Sequence, residues 1–162
     1  MVTVEGGDEV LQEQVFDACF FFMRELFSSQ MMKNLKIKII LNDDLYKEED
    51  IYGYCEPEVS SSPPRKFEIA VYTKQRPSRI IYDLAHEMVH AKQYATGELV
   101  DLINDETRWH GELIDCNTHD NVEYWDAPWE WEAHGRGHCL WAKWKRLRKR
   151  AQWRGEKVIG KL

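Results

Sequence analysis

The chain has 162 residues, 43% of them hydrophobic and 31% charged, which suits one ordinary domain with a single core and excludes a disordered chain. It contains no run of 18 apolar residues to span a bilayer, and its start, MVTVEGGDEV, lacks the basic-then-apolar order of a secretory signal. The net charge of −6 is unevenly placed: from Trp141 to Leu162 nine Lys/Arg face one acid, Glu156, leaving that segment at +8 and the first 140 residues at −14.

Asp8 to Met32 reads as a helix, because Val10, Leu11, Val15, Phe16, Cys19, Phe22, Met23 and Leu26 recur at three- and four-residue steps and Asp8 can cap it. Leu35 to Leu41 is a strand ended by Asn42-Asp43-Asp44, and Ile51 to Cys55 reads as a short one. Ser60 to Pro64 is a loop. Phe67 to Thr73 alternates as a strand, with Phe67, Ile69 and Val71 on one face. A second helix runs from about Ser78 to Thr96, opened by Pro77 and stopped by Gly97. Glu98 to Ala127 is irregular and acidic, with a hairpin around Trp109 to Asp115. A third helix starts at Pro128 and runs to about Gln152 despite Gly135 and Gly137. The expected fold is α+β in a single domain, 1–162: an N-terminal helix, a small mostly antiparallel sheet, two helices carrying the site, and a basic helical tail from about 141. Cys19, Cys55, Cys116 and Cys139 form no C-x-x-C pair and read as free thiols of a cytoplasmic protein.

Residues 86 to 90 read His-Glu-Met-Val-His. On a helix His86 and His90 stand one turn apart on one face, so both imidazoles can reach one metal ion. Zinc suits them, since it takes neutral nitrogen ligands. Glu87, beside the first ligand, can act as general base toward a water that the metal activates. Ile80, Ile81, Leu84, Ala85, Met88 and Val89 fall on the opposite half, so the helix has a core face and a site face, with Asp83 and Tyr94 near the latter. A catalytic zinc usually takes a third protein ligand. The candidates are His110, Glu112, His119, Glu123, Asp126, Glu130, Glu132, His134 and His138. Glu130 leads: it lies in the first turn of the third helix, and small Ala133 lets that helix come close. Glu132 is its main rival and points the other way. His134, at i+4 from Glu130, can hold a ligand in place. Tyr124, His134 and His138 are candidate oxyanion donors. Trp125, Trp129, Trp131, Trp141 and Trp144 read as core packing, with a substrate pocket as the sharper alternative.

HEMVHAKQY followed by YWDAPWEWEAH resembles the gluzincin-type zinc metallopeptidases, and most closely the small SprT-like and phage-encoded minimal members. The resemblance covers residues 67–135 at most. It implies His86, His90 and Glu130 as ligands of one zinc, Glu87 as base, and hydrolysis of peptide bonds in the cytoplasm, that of the host cell for a phage-encoded member. It also implies that the strand before the active-site helix, Phe67 to Thr73, is an edge strand that pairs with an extended peptide or protein substrate. His134 stands where relatives often carry Asp or Asn. Two other classes compete: a zinc-containing nucleic-acid-binding module, using the basic tail with Trp141, Trp144 and Trp153, and a protein-interaction factor without hydrolytic activity. No membrane partner is expected.

Overall fold

The computed structural model describes residues 1–58, 61–102, 106–114 and 126–153. In chain order the elements are β1 (Val2–Glu5), α1 (Glu9–Leu26), α2 (Ser29–Met32), β2 (Lys36–Asn42), α3 (Leu45–Glu49), β3 (Gly53–Pro57), β4 (Lys66–Tyr72), α4 (Pro77–Thr96), β5 (Leu99–Asp101), β6 (Thr107–Trp109), β7 (Glu112–Ile114) and α5 (Pro128–Trp153). The α+β layout expected from the pattern is present. No helix among the described residues is long and apolar enough to cross a membrane.

Asp8 caps α1 by accepting the Leu11 amide at 2.8 Å. The expected helix to Met32 is broken, however. Phe27 turns extended after Leu26, and Ser28 caps the short α2 by accepting the Met31 amide. Phe27 is buried and Met31 and Met32 pack on the core, so one apolar pattern continues through a change of direction that periodicity alone does not register. Two elements were not among those expected. β1 has four residues of alternating, half-exposed pattern, and α3 has five residues with only Leu45 buried.

The four-stranded sheet runs β1-β2-β4-β3. β1 pairs parallel to β2 and β2 parallel to β4; only β3 is antiparallel, to β4. Antiparallel pairing does hold for the small sheet β5-β6-β7. Within the larger sheet the expectation is corrected, because β1 and β2 are joined through α1, and a helical crossover returns the chain parallel. β6 and β7 form the expected hairpin, turning at His110 and Gly111, both with positive φ (48° and 88°) as a two-residue loop requires. The described part of this stretch, 98–102 and 106–114, is thus more regular than expected.

Ile37, Ile39 and Leu41 of β2 and Phe67, Ile69 and Val71 of β4 bury one sheet face against Val15, Phe22, Ile80, Ile81, Leu84 and Met88 of α1 and α4. Each such side chain contributes about 1.5–3 kcal/mol when fully buried. Trp129 and Trp144 are buried as core, whereas Trp131 is exposed and Trp125 lies outside the described residues. The strand before α4 is not the edge that the resemblance implied: β4 lies between β2 and β3, and among the described residues β3 is the edge on that side.

Candidate metal centre

The site lies where α4 and α5 meet. Ile80, Ile81, Leu84, Ala85, Met88 and Val89 are all buried, which turns His86 and His90 away from the sheet and toward α5. Gly97, at φ 74°, ends α4 and returns its amide to the Gln93 and Tyr94 carbonyls. α5 comes close because it presents small residues. Ala133 is fully buried, and a Cβ on Gly137 would stand 3.1 Å from both the Cα and the backbone N of His86. That approach carries Glu130, 2% exposed, to the two imidazoles.

The donors converge. His86 Nε2 lies 3.0 Å from His90 Nε2 and 3.3 Å from Glu130 Oε2, and His90 Nε2 lies 3.2 Å from Glu130 Oε1. Ligand atoms around a tetrahedral zinc, at bond lengths of about 2.0–2.1 Å, stand about 3.3 Å apart. Glu130 Oε2 is buried without a hydrogen-bond partner, an arrangement that costs free energy unless something else compensates it. By spacing, burial and chemistry the residues fit the ion. Burial would raise the Glu130 carboxyl, but His86 and His90 hold it well below the usual carboxylate range. Burial opposes protonation of His90, yet Glu130, Glu87 and Gln93 raise it above its ordinary value.

The tautomer of His90 follows from its neighbours. Gln93, fully buried, donates through Nε2 to the Trp129 carbonyl at 2.9 Å and to Glu132 Oε2 at 3.0 Å. Both of those groups only accept, so Gln93 Oε1 must face His90 Nδ1, 2.8 Å away, and accept its proton. Nε2 is then the free lone pair, directed at the convergence point. Glu132, the expected rival ligand, is engaged instead by Gln93, Lys92 and Arg136, which hold its carboxyl low against the effect of burial. Nothing in the sequence marked Gln93 beyond its place three residues after His90.

Glu87 is 7% exposed and faces β3. Burial pushes its carboxyl up to about 8; His90 opposes this, and Glu130 and Asp83 add to it. Asp83 is held by Arg79 Nε at 2.9 Å and Gln75 Nε2 at 2.6 Å. Tyr94 donates to Asp101.

His134 joins the site more closely than a supporting role required. Its ring centre is 4.5 Å from that of His86, and ligand atoms of His86, Glu130 and His134 all lie within 4.8 Å of one another. Burial and the neighbouring His86 hold its imidazole below the ordinary value. His138 lies a turn further along, against Tyr82 and Trp141 at 6.1 and 5.6 Å between ring centres. His110 and Glu112 belong to the β6–β7 hairpin and Asp126 precedes α5. Tyr124, His119 and Glu123 lie outside the described residues. Comparison of the chain with models of protein families, with curated proteins and with solved structures finds no match.

Proposed function

We propose that the chain is a zinc-dependent peptidase of the gluzincin kind, with His86, His90 and Glu130 holding the ion and Glu87 serving as general base. One observation carries the reading: three donors converge at 3.0–3.3 Å, with a further carboxylate, Glu87, buried beside them on the same helix. A structural ion has no use for that carboxylate. Bound zinc supplies Lewis acidity, polarising a carbonyl and lowering the pKa of water. Glu87 accepts the proton of the attacking water at its carboxylate and delivers it to the leaving nitrogen as the C–N bond breaks. The outer edge of β3, which pairs with no other strand among the described residues, aligns an extended peptide through backbone hydrogen bonds. Gln93 holds His90 in its ligating tautomer. Cys19, Cys55 and Cys139 are free, in keeping with a reducing compartment such as the cytoplasm.

The test is elemental mass spectrometry of purified wild type, Glu130→Ala and Glu132→Ala, with hydrolysis of fluorogenic casein measured alongside. About one zinc per chain is expected in the wild type, lost in Glu130→Ala and retained in Glu132→Ala. A wild type that takes up no zinc when supplied with it refutes the reading.

A second reading rests on His134. If it joins the other three as a fourth protein ligand, the coordination is closed and the ion is structural, as in a zinc-containing binding module whose basic helix meets nucleic acid or protein. Cobalt(II) substitution separates the two. An absorption spectrum that responds to added hydroxamate indicates an open position. One indifferent to it until His134→Ala is introduced indicates a closed site.

A further inference from the structure

Resting on the reading of Glu87 as general base, we propose that Gly53 is a positioning residue for that base: the side chain it lacks is the space in which the Glu87 carboxylate is held against the edge strand. Gly53 opens β3, opposite Val71 of β4, and its φ is not in the left-handed region, so the backbone there does not require glycine. What requires it is Glu87. A Cβ at position 53 would lie 2.9 Å from Glu87 Oε1 and 3.2 Å from its Cγ, and 3.1 Å from the Ala70 carbonyl oxygen. The shortest of these contacts is to the far end of a flexible side chain. A methyl group would therefore displace the carboxylate before it displaced the sheet, and β3, as an edge strand, can yield the few tenths of an ångström that the Ala70 contact asks. Glu87 is buried, 7% exposed, so its carboxylate has little open space to move into. Displacement takes the carboxylate out of line with the reacting atoms while His86, His90 and Glu130, held by α4 and α5, stay where they are.

The contact and its consequence are tested separately. Urea unfolding midpoints are measured for wild type, Gly53→Ala, Glu87→Ala and the double variant, which needs neither zinc nor substrate. Gly53→Ala is expected to lower the midpoint in the wild-type background and to lower it clearly less where Glu87 has been cut back to alanine. Equal loss in both backgrounds would place the clash at Ala70 and overturn the proposal. For the consequence, zinc content and casein hydrolysis are compared: Gly53→Ala is expected to keep one zinc per chain and its KM while kcat falls at least tenfold. Loss of zinc, or an unchanged kcat, overturns it. A wild type that binds zinc but shows no turnover removes the role assigned to Glu87 and this proposal with it, and absence of zinc from the wild type removes the metal reading itself. The unfolding midpoints report the Gly53–Glu87 contact in either case.

Discussion

The proton on His90 is placed by residues that touch no ligand atom of the other helix. Trp129 O and Glu132 orient the Gln93 amide, and the amide fixes the imidazole. Gln93→Leu fills the same space but removes that acceptor, and zinc affinity is expected to fall about 10- to 100-fold, read by competition with a chromophoric chelator. An unchanged affinity would mean that the tautomer is set elsewhere. Glu87 is open to test without any metal. Its carboxyl titrates near 4.5 in an unfolded chain and near about 8 in the fold. Between these values the native state keeps a proton that the unfolded state has released, so this contribution to stability is full below pH 4.5 and is lost as pH rises toward 8. His90, raised above 6.5, adds a fall of the same sign from that pH upward; Asp83 and Asp17, raised above 3.8, add one from lower pH, and His134, lowered below 6.5, opposes them, so the share of Glu87 is read as the difference between the wild type and Glu87→Gln. Glu130 has the opposite sign, and its loss lies at more acid pH. In chelator-treated protein the urea midpoint should decline across 4.5–6.5, and Glu87→Gln should flatten that decline. In the zinc-loaded protein the same substitution should retain the ion and lower casein turnover by about 10²-fold or more.

Two glycines lie on α5 two residues apart, and they do different things. A Cβ on Gly135 meets nothing within 4 Å, whereas one on Gly137 meets the backbone of α4 at His86. Alanine has the higher helix propensity by about 1 kcal/mol, so Gly135→Ala should raise the unfolding midpoint. Gly137→Ala gains the same propensity but pushes the helices apart. It should weaken zinc binding several-fold, because Glu130 reaches the histidines only across this contact. Equal effects of the two substitutions on zinc affinity would sink the argument. Much at this scale was legible in advance: α4 from Pro77 to Gly97, α5 from Pro128, and the β6–β7 turn each carry a terminator or an alternation that works locally. The break at Phe27–Ser28 carried none, since its apolar residues stay in register with the core on both sides of it.

Zinc held by His86 and His90 of one helix and Glu130 of another would cross-link α4 and α5, elements joined through 31 intervening positions (97–127). Binding to the folded state alone would stabilise the whole molecule, by about 4 kcal/mol when free zinc is 1,000 times its dissociation constant. A chelator should therefore lower the melting temperature of the wild type and leave Glu130→Ala unmoved; no shift in the wild type would mean that the ion does not tie the helices together. The sequence by itself determined the two faces of α4 and the pairing of His86 with His90, because residues one turn apart on a helix need no partner element to define their geometry. It also singled out Glu130 and Ala133, since an acid and a small residue near the start of the next helix are readable by position. Only the tertiary structure decided that Glu132 serves Gln93 rather than the convergence point, that His134 comes within reach of it, that β3 and not β4 is the edge, and that Gly53 makes room for Glu87. Each of these depends on the distance and angle between elements far apart in the chain. Those are set by how side chains of α4, α5 and the sheet fill a shared volume, which no local pattern encodes.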